Sequence, residues 1–101
     1  MTINEWSDAT AMAEAVQNKT VSPRELVEAT IRESERTNPK INAIVSQRYE
    51  KALKEAETRD FSEKPFAGVP IFLKDLGQEQ AGEPSTAGSR LFTNYRATET
   101  D

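Results

Sequence analysis

The sequence predicts an α/β fold of which this chain forms only an opening part. Amphipathic helical patterns alternate with short β-branched runs in the order helix, strand, helix, strand. Two strands cannot form a parallel sheet that is covered on both faces. The chain also closes on Thr98-Glu99-Thr100-Asp101, a polar run without a capping signal. We therefore expect residues 1–101 to be one incomplete segment of a larger domain, with about three helices and two or three short strands.

The first two helices are predicted mainly from their ends. Ser7 is the expected N-cap of a first helix that stops near Asn18. The run Ser22-Pro23-Arg24-Glu25 combines a capping box with proline at the first helical position, which predicts the start of a second helix. Asn38-Pro39 is the expected end of that helix, because proline disfavours the α conformation in the residue before it.

The middle of the chain predicts a strand followed by a third helix. Ile41–Ser46 is rich in β-branched residues, which favours a short strand. Apolar residues then recur at helical spacing from about Gln47 to Thr58. The carboxylates of Glu55 and Glu57 lie two positions apart and face different directions on such a helix. We interpret them as part of a solvated surface and not as an acid–base pair.

The most apolar run, Val69–Leu73, begins after Gly68 and ends at Lys74. Its length and boundaries predict a buried strand, and Pro70 places that strand at an edge or with pairing on one side only. A lysine taken out of water is either paired or shifted toward its neutral form, and a neutral lysine can act as a general base. The alternative interpretation is that Lys74 marks the point where the strand emerges into solvent.

Composition excludes several classes of function. The chain has no cysteine and no histidine, so it holds no disulfide, thiolate nucleophile, Ser-His-Asp triad or imidazole metal ligand. Its net charge is −4 and its basic residues are scattered, which gives no support for nucleic-acid binding. No apolar run approaches the length that spans a membrane, and no secretory signal is visible, so the expected location is the cytoplasm.

The loop after Lys74 is rich in glycine and hydroxyl side chains, but it matches no cofactor motif. The spacing from Gly82 to Gly88, followed by Ser89-Arg90, departs from a phosphate-binding loop. We expect no cofactor and no metal. Ser85, Thr86 and Ser89 have no adjacent base, and hydroxyl groups in such loops usually form turns.

Five stretches together resemble the amidase signature family, in the order and at the spacing of that family. The block Gly68-x-Pro70-x-x-x-Lys74-Asp75 is the most specific of them. The resemblance extends over nearly the whole chain from about Ser7. The five stretches are Ser22–Val27, Asn38–Ala43, Ala52–Ala56, Phe66–Asp75 and Ser85–Ser89.

The resemblance implies an α/β/α sandwich and a hydrolase that cleaves carboxamides through a Ser–cis-Ser–Lys triad. In that family the lysine of this block is the base, and backbone amides near the nucleophile stabilise the oxyanion. Lys74 matches the lysine, and no other residue of this chain matches a catalytic position. Both serines lie downstream in the family, beyond Asp101 here. The chain is therefore expected to be inactive alone and to act on a small amide only within a full-length enzyme.

A different class of function remains open from the residues alone. The helices and apolar strands of a small non-enzymatic interaction domain would bury their apolar faces against a partner or a second copy of the chain. Self-association of the isolated chain would instead favour the incomplete segment, because an unpaired sheet edge and a half-covered apolar face promote association. A stable monomer that unfolds cooperatively would indicate a self-sufficient domain.

Overall fold

The structure is a computed structural model and describes residues 4 and 6–101. Residues 1–3 and 5, part of the segment that we inspected for a secretory signal, lie outside this description. Among the described residues the elements are helices α1 (Ala9–Gln17), α2 (Pro23–Ile41) and α3 (Tyr49–Thr58), and a short 3-10 helix, Arg90–Phe92. No described helix is long and apolar enough to cross a membrane.

Helix α1 begins one residue later than the sequence predicted. The side chain of Asp8, not that of Ser7, accepts a hydrogen bond from the backbone N–H of Ala11, at 2.8 Å. The Ser7 hydroxyl instead accepts from the N–H of Asn4, at 3.0 Å. Both residue types are good N-caps, and the serine is already used by the turn before the helix. The predicted end is confirmed, because Asn18 is the C-cap.

The start of α2 is confirmed and its predicted end is wrong. The Ser22 hydroxyl accepts from the N–H of Glu25, at 3.1 Å. The helix continues through Pro39 to Ile41 and ends at Asn42, whose backbone is left-handed with φ 49°. Pro39 lies in the last turn, so its missing N–H costs a single helical hydrogen bond. Asparagine is one of the few residues that readily adopt the left-handed conformation of a helix end.

The strand predicted over 41–46 is absent. Ile41 is the last residue of α2, and the side-chain oxygen of Asn38 accepts from the N–H of Ile44, at 2.8 Å. This bond holds the chain close to the helix that it has just left. Local hydrogen bonding by asparagine therefore overrides the β propensity of the run.

The strand predicted over Val69–Leu73 is absent as well. Beyond Val69, no N–H in this run has a hydrogen bond within the described part of the chain. Ile71 is 77% exposed and Leu73 49% exposed, so the run is not buried either. A strand forms only when a neighbouring strand pairs with its backbone, and the described residues supply none.

The described residues are therefore helical, and the predicted two or three strands do not form among them. Pairing of the β type is limited to one isolated antiparallel bridge, between Pro84 and Arg96.

Helices α2 and α3 pack together, and the ion pair between Arg24 and Glu57 joins them. Arg24 of α2 binds Glu28 on its own helix, at 2.7 Å, and Glu57 of α3, at 2.5 Å. Arg48 forms two hydrogen bonds to Glu55, at 2.6 and 3.1 Å, and they hold the pKa of that carboxyl below its usual range. Glu55 and Glu57 thus bind arginines, which the interpretation as a plain solvated surface missed.

The chain divides into two compact units, Met1–Pro70 and Ile71–Asp101. The first unit contains the three α-helices and nearly all of the buried apolar residues. The second unit contains the 3-10 helix and buries Ala97. The buried apolar residues of the first unit are Ala13, Ala15, Leu26, Val27 and Ala67.

Within the first unit, Gly68 lies against the start of α2. Its φ of +81° belongs to the left-handed region, which residues with a Cβ rarely adopt. A Cβ at this position would come within 2.8 Å of Cγ of Pro23. The glycine of one sequence block therefore packs on the proline of another block, 45 positions earlier.

Candidate functional site

The candidate site is built around Lys74, in the second unit. Lys74 follows the extended apolar run and is exposed, and its backbone N–H donates to Oε1 of Gln78, at 2.9 Å. A turn over residues 75–77 comes next, with Gly77 at φ +79°. Among the described residues nothing takes the Lys74 side chain out of water. The expectation of a desolvated lysine at the end of a buried strand is therefore not met within this chain.

The residue next to Lys74 is tied to the glycine-rich loop. The Asp75 carboxylate accepts a hydrogen bond from the backbone N–H of Thr86, at 2.7 Å, and a second, short one from the Thr86 hydroxyl. The N–H of Gly88 in turn donates to that hydroxyl oxygen, at 3.3 Å. These bonds fix the chain immediately after Lys74 to a loop that lies eleven residues further on.

The charge on Asp75 is stabilised by the same contacts. The hydrogen bonds from the Thr86 side chain and backbone hold the pKa of the Asp75 carboxyl below its ordinary value, with a further contribution from the N–H of Gly88. Hydrogen bonds to a carboxylate favour its charged form, which strengthens the bonds in return. Asp75 is therefore a fixed negative charge adjacent in sequence to the lysine.

Two hydroxyl groups of the loop take part in a turn or a cap, and one of them also bonds to Asp75. The Ser89 hydroxyl accepts from the N–H of Leu91, at 3.2 Å, and caps the 3-10 helix. The Thr86 hydroxyl is used by Asp75 and Gly88. The Ser89 hydroxyl serves as a cap, and the carboxylate that accepts from Thr86 has a lowered pKa, which makes it a weak base.

In the second unit, residues 79–83 are hydrogen-bonded to residues 97–101. The N–H of Gly82 donates to the carbonyl of Ala97, at 2.8 Å, and the N–H of Ala97 donates to the carbonyl of Glu83, at 3.1 Å. Further along, the N–H of Glu79 donates to the carboxylate of Asp101, at 2.8 Å. These contacts hold the loop that contains Thr86 between residues 75 and 97.

The described residues contain no group of three or more acidic side chains placed to hold a metal ion. An open groove of about 410 Å³ lies in the first unit between the end of α2 and residues 44–49. It is lined by Ser34, Glu35, Tyr49 and their neighbours, and Lys74 is not among its lining residues.

Sequence reasoning found Lys74 but missed the bond between Asp75 and Thr86. A pairing across eleven positions has no periodicity that a single sequence reveals. The available signal was an acid next to the lysine, followed by a Ser-Thr pair in a glycine-rich loop, where such groups usually bond to nearby backbone.

Comparisons with known proteins agree on one family. A family model described as Amidase matches residues 25–101. The 6-aminohexanoate-cyclic-dimer hydrolase of Pseudomonas sp. (strain NK87) is 44% identical over 94 residues, covering 91% of this chain and 18% of the hydrolase. This chain thus spans about a fifth of the length of that relative.

Solved structures give the same result. A 6-aminohexanoate cyclic dimer hydrolase complexed with substrate matches with a TM-score of 0.85 and 40% identity, covering 97% of this chain and 20% of that chain. A bacterial aryl acylamidase belonging to the amidase signature enzymes matches with a TM-score of 0.73 and 32% identity, covering 92% and 20%.

Proposed function

Because the chain belongs to the amidase signature family, we propose that it is the N-terminal part of an amidase and supplies Lys74 as the general base. The observation that carries this proposal is the block Gly68-x-Pro70-x-x-x-Lys74-Asp75, which lies inside the region matched by the family model. The same membership favours an amidase over a non-enzymatic interaction domain.

The proposed chemistry is amide hydrolysis by a Ser–cis-Ser–Lys triad. The neutral amine of Lys74 takes a proton from the bridging serine, which takes one from the nucleophilic serine as that oxygen attacks the amide carbon. The proton then passes to the departing nitrogen, and water completes hydrolysis of the acyl-enzyme. Both serines would come from outside residues 1–101, because the family pattern places them well downstream of the lysine block.

The environment that makes Lys74 basic would also come from outside this segment. Lys74 is exposed here, and so are the apolar side chains that precede it. Covering Ile71–Leu73 with the remaining sheet of an amidase would remove the ammonium from water, which favours the neutral amine. The segment alone is therefore proposed to be inactive.

The proposed substrates are small carboxamides, and no cofactor is required for the reaction. The names of the relatives include a cyclic-dimer hydrolase and an aryl acylamidase, so both 6-aminohexanoate cyclic dimer and an aryl acylamide are reasonable test substrates. The specificity within this class would be set by parts of the enzyme that lie outside these residues.

The test compares Lys74→Ala and Lys74→Arg with the wild type, in the complete amidase that carries this sequence. Both variants are expected to lose kcat by at least about a thousandfold, because an arginine keeps the charge but does not give up its proton at neutral pH. Lys64→Ala, which removes another exposed cation, is the matched control and keeps full activity. Activity close to that of the wild type in Lys74→Ala would reject Lys74 as the base.

A second assay tests the segment alone. The purified chain of residues 1–101 is expected to hydrolyse neither substrate. Turnover that disappears in Lys74→Ala would show that this segment is itself an enzyme, and that the serines need not come from elsewhere.

A further inference from the structure

A general base must be positioned accurately, and the flexible side chain of lysine does not by itself fix the position of its amine. Its four-carbon stem has many rotamers, so the position of the amine depends strongly on where the backbone holds Cα. A displacement of about 1 Å at a reacting group can reduce the rate by about a hundredfold. The backbone around Lys74 therefore needs an anchor.

The anchor in this structure lies on the adjacent residue. Asp75 receives two hydrogen bonds from Thr86, one from its backbone and one from its hydroxyl. On the other side, the N–H of Lys74 is bonded to Gln78. The backbone N–H of Lys74 and the side chain of Asp75 are thus both hydrogen-bonded, although the Lys74 side chain itself is exposed.

We propose that the Asp75–Thr86 pair is a positioning device that fixes the backbone of Lys74 for catalysis. This inference rests on the proposed function, since it gives Asp75 a role only if Lys74 is the base. Asp75 acts through Lys74 and touches no substrate. Thr86 matters for its hydroxyl group and backbone N–H, and not as a nucleophile.

The electrostatics of the pair support the same assignment. Hydrogen bonds from Thr86 keep Asp75 charged, and a charged carboxylate is the stronger acceptor for both donors. The partner hydroxyl is held in place by the N–H of Gly88. The contact is therefore a small network and not a single exposed hydrogen bond.

The experiment uses four variants of the complete amidase: Asp75→Ala, Thr86→Val, Thr86→Ser and the double variant Asp75→Ala/Thr86→Val. Asp75→Ala is expected to lower kcat by about ten- to a hundredfold, with KM changed by less than about twofold. Thr86→Val preserves the shape of the side chain and removes the hydroxyl, so it should lower kcat to a smaller extent. Thr86→Ser restores the hydroxyl and should recover most of that loss.

The double variant separates a positioning pair from two independent effects. If Asp75 and Thr86 act as one unit, the double variant is no slower than Asp75→Ala alone, because the interaction is already lost. If the fold-losses in kcat of the two single variants multiply in the double variant, the proposal is overturned. An unchanged kcat in Asp75→Ala would also overturn it. A change in KM without a change in kcat would also overturn it.

A second measurement on the complete amidase covers the case in which Asp75→Ala fails to fold. In Thr86→Val, NMR titration should show the pKa of Asp75 rising toward its ordinary value, because the hydroxyl donor is lost. The stability linked to this carboxyl is present above its unfolded pKa and disappears as pH falls through its lower folded pKa. An unchanged pKa in Thr86→Val would show that the hydroxyl contact is absent in solution.

The outcomes also separate this inference from the proposed function. If Lys74→Ala is inactive and Asp75→Ala is fully active, only the positioning role is rejected. If Lys74→Ala is fully active, the base assignment fails, and the role of Asp75 fails with it.

Discussion

The structure gives a physical reason why the first residue of the family block, Gly68, is a glycine. Its position combines a left-handed backbone with a 2.8 Å approach to the ring of Pro23. Either condition alone disfavours a side chain, and together they leave glycine as the residue that fits. The sequence identified Gly68 as the boundary of an apolar run and the first residue of the family block, but not its contact with Pro23, which lies 45 positions away.

Replacing Gly68 by alanine is expected to destabilise the first unit by about 2–4 kcal/mol. The left-handed backbone contributes about 1 kcal/mol, and the forced shift of Pro23 contributes about 1–3 kcal/mol. The measurement is denaturant unfolding followed by helix signal. Gly77→Ala is the control, because Gly77 has φ +79° but no atom within 4 Å of an added Cβ, so only the backbone cost of about 1 kcal/mol applies. Equal losses in the two variants would contradict the packing argument.

At the scale of elements, helix ends were predicted better than strands. Ser22 caps α2 as expected, since a capping box is local and its partners are three residues apart. The two predicted strands do not form, because pairing partners are not encoded within the strand itself. The end of α2 was predicted at Asn38-Pro39, one turn too early. The helix ends at Asn42, whose backbone is left-handed.

Ser22→Ala is expected to destabilise α2 by about 1 kcal/mol, because the N–H of Glu25 loses its acceptor. Ser7→Ala is the matched control. Both serines were predicted as N-caps, but the helix before Asn18 is capped by Asp8, so the control should change stability by less than about 0.5 kcal/mol. The measurement is the midpoint of thermal unfolding for both variants. A larger loss in Ser7→Ala than in Ser22→Ala would contradict the assigned caps.

At the scale of the whole molecule, the exposed apolar surface is the feature that differs most from the predicted buried strands. Several large apolar side chains are at least two-fifths exposed. The family and the helices could be predicted because local patterns encode them. The exposure of the apolar run could not, since whether such a run is covered depends on its neighbours in the fold and not on its own residues. The exposed large hydrophobic residues of the second unit are Ile71, Phe72, Leu73, Leu76, Leu91, Phe92 and Tyr95.

The isolated chain is therefore expected to self-associate, because apolar patches of this kind favour association. Sedimentation velocity should show an apparent mass that rises with concentration, and Ile71→Lys should reduce that rise by placing a charge on the apolar run. Ala81→Lys adds the same charge at an exposed position away from the run and serves as control. A single monomeric species for the wild type at all concentrations would contradict the prediction.

The contact between Gly68 and Pro23 also has a consequence for how relatives of this chain vary. The two residues belong to separate sequence blocks, yet each limits what the other position accepts. A related protein with a side chain at position 68 would be more stable if position 23 did not carry a proline ring. We therefore expect the two positions to change together across the family, so that the start of one helix and the block before the lysine are inherited as a pair.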